Sequence, residues 1–240
     1  APYTPARFRF LGMRNVLILG YGKEGRATKV YLRNRFPQLR VGIADQSCSK
    51  RYLEEQEKFD IAVKTPGIPH RFVAIPFTTA TNIFFSETHT RHTLVGVTGS
   101  KGKSTTASLI YAMLQEGRKP ARLIGNIGFP MLGVVDHLQK GEIMILELSS
   151  YQLQDLRLSP HIAVVTNLFP DHMDYHGGVK AYYAAKKNIS AFQTPQDFFV
   201  YNQHDKQLRL WALEAASVTI PFADDVNFRQ IESRLLGEHN

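Results

Sequence analysis

Leu94-Val95-Gly96-Val97-Thr98-Gly99-Ser100-Lys101-Gly102-Lys103-Ser104-Thr105 leads from an apolar strand, through a loop rich in glycine and lysine, into a helix-forming stretch that runs to about Gln115. A loop in that setting turns backbone N–H groups inward, and the following helix adds the positive end of its dipole, so the segment reads as an anion nest for phosphates. Lys103 would reach the β- and γ-phosphates of a nucleotide, and the Ser104 hydroxyl would ligate Mg²⁺. Gly99, Ser100, Lys101, Gly102 and Thr105 complete the expected phosphate-binding loop. The general Walker pattern wants glycine five positions before Gly102, where this chain has Val97, so the loop is a compact variant.

Upstream, the same strand–glycine loop–helix order occurs once before. Asn15-Val16-Leu17-Ile18-Leu19 is an apolar run suited to a strand buried on both faces. Gly20-Tyr21-Gly22-Lys23-Glu24-Gly25 follows at once, then a helix to about Arg35 and a strand over 40–44 that ends in Asp45. A polar helix is expected over 51–58, a strand over 61–63, a turn at Thr65-Pro66-Gly67-Ile68-Pro69, and one more strand near Ile83-Phe84-Phe85. Downstream, strands are expected over 143–148, 162–166 and 198–201, and helices over 180–191 and 206–215. Alternating strands and helices predict an α/β protein with mostly parallel sheets. Two starts of this kind predict a Rossmann-like N-terminal domain over 1–90 and a P-loop mononucleotide-binding central domain over 91–240, meeting near 89–92.

Two more polar motifs follow apolar strands. In Ile143-Met144-Ile145-Leu146-Glu147-Leu148-Ser149-Ser150-Tyr151-Gln152-Leu153, Glu147 stands at a strand end, where a second metal-ligating carboxylate belongs in an α/β nucleotide site. Alone it could equally face solvent. Thr166-Asn167-Leu168-Phe169-Pro170-Asp171-His172-Met173-Asp174 follows Ile162-Ala163-Val164-Val165 and should open on the same sheet edge. There His172 can ligate a metal or meet a phosphoryl group, with Asp171 orienting it. Tyr182-Tyr183-Ala184-Ala185-Lys186-Lys187-Asn188 by itself reads as an amphipathic helix with solvated lysines.

Composition narrows the partners. The chain has 240 residues, a 43% apolar and 21% charged make-up and a net charge of +8, values of a globular protein. Its basic residues are scattered, which favours small anions over nucleic acid. No apolar run approaches the ~20 residues of a membrane span, and no signal peptide is legible. The single cysteine, Cys48, suits a reducing cytoplasm. A monomer without nucleic-acid or membrane partners is expected.

With these motifs in this order, the chain resembles the Mur ligase family over essentially its whole length, and the stretch 146–153 looks like that of the D-glutamate-adding member. Gly125-Asn126-Ile127-Gly128, Thr65-Pro66-Gly67-Ile68 and Gly237-Glu238-His239-Asn240 are further matches. The resemblance implies a bacterial cytoplasmic ligase that joins D-glutamate to UDP-N-acetylmuramoyl-L-alanine, using ATP and Mg²⁺. It implies that Lys103 and the loop hold ATP, with Asn240 on the adenine side, and that Ser104, Glu147, His172 and a carbamylated Lys186 hold metal. Lys103, Glu147, His172 and Lys186 would carry catalysis. The UDP moiety would lie on Gly20, Gly22, Lys23, Glu24, Gly25, Asp45, Gln46, Thr65, Pro66 and Gly67, with Asn126, Ser149 and Gln152 beyond it. Lys101 stands where the family usually has asparagine, and Ser47 where some relatives have arginine. Relatives continue past Asn240, so the chain is expected to stop before their third domain. Other readings stay open: a folate-type polyglutamate ligase, a nucleotide-binding remnant, and an NAD(P) oxidoreductase, whose fingerprint Gly20-x-Gly22-x-x-Gly25 with Asp45 also satisfies.

Overall fold

The computed structural model describes residues 10, 12–49, 51–54 and 56–223. The expected run β1 (Asn15–Leu19), α1 (Lys23–Arg35), β2 (Arg40–Ala44) and β3 (Ile61–Lys64) forms, followed by β4 (Phe77–Thr79) and α2 (Ala80–Thr88). The second half comprises β5 (Leu94–Thr98), α3 (Lys103–Glu116), β6 (Ala121–Gly125), β7 (Ile143–Glu147), α4 (Ser150–Leu153), β8 (Ile162–Val165), α5 (Met173–His176), α6 (Val179–Lys187), β9 (Phe198–Asn202), α7 (Lys206–Glu214) and β10 (Val218–Phe222).

These strands make two sheets, ordered β2-β1-β3-β4 and β10-β9-β8-β5-β7-β6, and every pairing is parallel. Strand order reverses on either side of β1 in the first sheet and of β5 in the second. Ligands of open α/β sheets collect at such reversals, beyond the carboxyl ends of the strands. Both glycine-rich loops leave from these two strands, so topology alone puts them at crevices. Register then aligns their neighbours: Leu19 pairs with Ala44 and Lys64, and Val97 with Glu147.

Side chains alternate across each strand. Val16 and Ile18 point into one apolar cluster, while Leu17 and Leu19 point into another on the opposite face. In the second sheet Met144 and Leu146 join the first cluster, and Ile145 packs beneath α3 with Val95, Val97 and Ala107. The first cluster therefore runs unbroken from Val16 through Phe84, Phe85 and Met131 to Leu146 and Phe199. Each such side chain contributes roughly 1.5–3 kcal/mol on burial.

Two expected elements are different in the structure. The strand expected near Ile83-Phe84-Phe85 is the helix α2. A short apolar run buried all round carries no period that separates strand from helix. The deciding local feature is Thr79, whose hydroxyl accepts from Asn82 N at 3.1 Å and caps the helix. The polar helix expected over 51–58 is a series of turns closing in a 3₁₀ turn, Gln56–Lys58. Buried Gln56 sets that path, donating to Leu53 O and Phe72 O and accepting from Ala74 N. Strands β4, β6 and β10 lie beyond the sequence reading; β10 carries Pro221 and sits at a sheet edge, where a missing N–H is tolerated.

The halves are tied by polar contacts as well as by apolar packing. Lys64, fully buried, pairs with Asp155 at 2.9 Å. The Asn82 side chain donates to Asp155 O at 2.7 Å and accepts from Arg157 N at 2.9 Å.

Candidate active site

The loop after β5 is built by contact with the segment after β8. Thr166 Oγ1 and Asn167 Nδ2 donate to Lys101 O, and Lys101 N donates to Asn167 Oδ1. Gly99 has φ +152°, and a Cβ there would lie 1.9 Å from Thr166 Oγ1, so only glycine fits. Gly102, at φ +81°, starts α3. The N–H groups of Lys103, Ser104 and Thr105 belong to the first helical turn and have no intrahelical acceptor, which leaves them for an anion.

Ser100 faces the other way. Its N–H donates to Asn167 O, and its hydroxyl donates to Phe169 O, accepts from Phe169 N and meets Tyr182 Oη at 3.0 Å. Those bonds use its N–H and hydroxyl to brace the loop. Lys101 is likewise pinned through its backbone, but its side chain is exposed. Asn240 lies outside the described residues.

Lys103 Nζ donates to Gly99 O at 3.0 Å and to Ser100 O at 3.1 Å. Burial lowers its pKa, partly offset by the negative charges of Glu147 and Asp171. Glu147 is 1% exposed; Oε1 accepts from Asn126 Nδ2 at 2.9 Å, while buried Oε2 has no hydrogen-bond partner. A buried carboxylate oxygen left unpaired costs free energy unless a cation or donor meets it. Lys186 is also 1% exposed, so the reading of a solvated lysine fails. Its Nζ donates to Gly99 O at 2.8 Å and to Thr98 Oγ1 at 3.3 Å. Desolvation, with Lys103 adding to it and Asp171 opposing, brings the Lys186 pKa down to about 7. A neutral amine of that kind is the form that can add CO₂.

His172 is half-exposed at the N-cap of α5, at φ +54°, with Nε2 3.5 Å from Asp171 Oδ2. Among the described residues no group of three or more His, Cys, Asp and Glu is arranged to hold a metal. The expected donors, Ser104, Glu147, His172 and a carbamylated Lys186, would make a sparse oxygen-rich set of the kind that suits Mg²⁺ carried largely by phosphate oxygens and water. The unpaired Glu147 Oε2 fits such an ion.

His176 escaped the sequence reading, although its spacing of four from His172 was visible. Its Nε2 lies 3.0 Å from Ser150 Oγ, and its ring stacks on Tyr151. Burial, then Lys186 and His172, push its pKa down to about 4, so it is neutral at physiological pH.

A cavity of about 520 Å³ lies across the two sheet ends. Gly20, Gly22, Lys23, Glu24, Gly25, Asp45, Gln46, Thr65, Pro66 and Gly67 line it from the first half, and Asn126 and Gln152 from the second. Tyr21, from within the first glycine loop, adds a wall, as do Tyr52 and Pro130, which no motif announced. Ser149 is not among the lining residues; it caps α4 in a capping box with Gln152. Gln152 Nε2 in turn donates to Glu24 Oε1 at 3.1 Å, and burial raises the Glu24 pKa against that bond. Asp45 accepts from Tyr21 N, Ser47 N and Ser47 Oγ, with the Ser47 hydroxyl foremost in holding its pKa low. No helix among the described residues is long and apolar enough to cross a membrane.

Residues 97–234 match the family described as the Mur ligase middle domain. UDP-N-acetylmuramoylalanine–D-glutamate ligases from Streptococcus pyogenes serotypes M5 and M1 are 33% identical over 235 aligned positions, covering 88% of this chain and 52% of each relative. The chain thus spans about half the length of these relatives. The structure is similar in fold to the UDP-N-acetylmuramate:L-alanyl-gamma-D-glutamyl-meso-diaminopimelate ligase of Neisseria meningitides, with TM-score 0.56, 15% identity, and coverage of 88% of this chain and 78% of that one. It is also similar to a MurF ligase of Thermotoga maritima solved with ADP, with TM-score 0.51, 18% identity, and coverage of 90% and 49%.

Proposed function

The chain belongs to the Mur ligase family, and on that premise we propose that it carries the ATP and sugar-nucleotide sites of the ligase that joins D-glutamate to UDP-N-acetylmuramoyl-L-alanine. Residues 1–90 would hold the UDP part and 91–240 the nucleotide triphosphate. The observation that carries this reading is the bond from Asn126 Nδ2 to Glu147 Oε1 at 2.9 Å. Asn126 lines the 520 Å³ cavity, and Glu147 stands beside the anion-binding loop. One hydrogen bond therefore separates a pocket of sugar-nucleotide size from a phosphate site, as transfer between two bound substrates requires.

In this reading the α3 N-terminus and Lys103 grip the β- and γ-phosphates. Ser104, Glu147, His172 and a carbamylated Lys186 would hold Mg²⁺, which when bound supplies positive charge against the transferring phosphoryl group. Asn126 and Gln152 orient the substrate so that its alanyl carboxylate faces the γ-phosphate. The carboxylate oxygen takes the phosphoryl group, ADP leaves, and an acyl phosphate forms. The D-glutamate amine attacks the acyl carbon, loses a proton, and expels inorganic phosphate as the amide forms. The loop bonds to Lys101 and Ser100 keep the phosphate donors in place before substrate arrives, which is where positioning contributes to rate.

The same reading makes the protein a monomer of the bacterial cytoplasm working on small molecules, without nucleic acid or membrane. Calorimetry with Mg·ATP, UDP-N-acetylmuramoyl-L-alanine and NAD tests it. Binding of the first two is expected, and binding of NAD in place of the sugar nucleotide would overturn it.

A further inference from the structure

We propose that Tyr175 is a positioning residue that couples the sugar-nucleotide pocket to the segment carrying His172. This inference deepens the function proposed above and rests on it. Tyr175 Oη donates to Pro66 O at 2.8 Å and stands 3.2 Å from Ile68 O, so one hydroxyl proton holds the turn that walls the cavity. Arg71, just past that turn, reaches back and donates from Nη1 to Tyr175 O at 3.0 Å. The two segments thus grip each other in both directions across more than a hundred residues of sequence.

The other end of Tyr175 is tied to the chemistry. It lies in α5, a helix of four residues, and so short a helix has no stability of its own. His172 caps α5 in the left-handed region, a conformation that an imidazole residue adopts at a cost and keeps only where its surroundings insist. The Tyr175 ring packs edge-on against Tyr151 at 4.3 Å and against His176 at 5.0 Å, and Tyr151 also packs on His172. A shift of the turn at Pro66 on binding a ligand would therefore pass through the hydroxyl to α5 and on to His172. Each site also has anchors of its own. The turn keeps Thr65 Oγ1 on Leu19 O and Lys64 Nζ on Ile68 O, and His172 keeps its bond from N to Asp171 Oδ1. Losing the hydroxyl should separate the sites without dismantling either.

The test is Tyr175→Phe, which keeps the ring and deletes the bonds to the turn. Calorimetry on the 240-residue chain would give Kd for UDP-N-acetylmuramoyl-L-alanine and for a magnesium complex of a non-hydrolysable ATP analogue, each alone and with the other saturating. In the wild type each ligand is expected to change the Kd of the other by the same factor, about fivefold or more. In Tyr175→Phe that factor is expected to fall to within about twofold of unity, while each ligand alone keeps its Kd within about threefold. A general loss of structure would weaken both binary affinities and so looks different. A wild-type factor of unity, an unchanged factor in Tyr175→Phe, or binary affinities that collapse in the variant would each overturn the proposal. Failure of either ligand to bind the wild type would instead overturn the functional reading, and this inference with it.

Discussion

Lys103 and Lys186 donate to the same carbonyl oxygen, Gly99 O, at 3.0 and 2.8 Å. Two amines on one acceptor cannot both hold a full charge cheaply where water is excluded. The more buried of the two, Lys186, gives way, with a pKa of about 7 against an ordinary 10.5. Between those values the unfolded chain binds a proton that the folded chain releases, so this residue makes stability rise with pH across that window. Below about pH 7 both states carry the proton and the penalty is constant. Urea unfolding of wild type and Lys186→Met should show their stability difference moving in favour of wild type from pH 7 to 10. A difference that stays flat would mean that Lys186 keeps its proton in the folded state.

Lys103 offers the complementary test. Its ammonium is held over the loop by carbonyls that a phosphate would replace as partner. Lys103→Ala should weaken Mg·ATP binding by at least about tenfold, in keeping with the ~1.5–3 kcal/mol of a charged hydrogen bond. The circular dichroism spectrum should be unchanged. Wild-type affinity in the variant would remove the loop from the nucleotide site.

Glu147→Gln separates charge from shape. The amide oxygen can still accept from Asn126, but the unpaired Oε2 is replaced by an NH₂ group that repels a cation. ATP affinity in EDTA should hardly move, while the gain in affinity that Mg²⁺ brings should largely vanish. Calorimetry with and without Mg²⁺ decides; an undiminished gain would put the metal elsewhere.

Gly25 packs α1 against the loop after β1 so tightly that a Cβ would sit 2.2 Å from Gly20 O. Gly25→Ala must therefore push helix from strand, and a strained contact of this kind costs about 1–3 kcal/mol. The melting temperature should drop by several degrees, and affinity for the sugar nucleotide should drop with it. An unshifted melting curve would mean that the loop moves freely.

What sequence could reveal follows from the range of each signal. The glycine loops and the strands that feed them were legible because backbone geometry at Gly25, Gly99 and Gly102 restricts residue choice locally. Ile83 to Phe85 misled because an element buried on all sides loses the polar face that would reveal its period. The bracing role of Ser100 was not legible, because its partners, Phe169 and Tyr182, lie far along the chain. Tyr175 and His176 were missed for the same reason, since their meaning depends on Pro66 and Ser150, which only folding brings near. The bond from Asn126 to Glu147 joins two motifs that sequence presents as separate, and it is the contact on which the functional reading rests.

The unbroken apolar cluster from Val16 through Phe84 and Phe85 to Phe199 also bears on how the chain folds. The boundary that the sequence suggests near residue 90 falls within this cluster, which draws residues from both sides of it. A cut there would divide the cluster to which Phe84, Phe85 and Leu94, all fully buried, belong. Neither piece would then have a finished interior. The two halves should melt as one cooperative unit, with a single calorimetric transition. Gene halves expressed apart should yield soluble protein only when they are produced together and can complement each other.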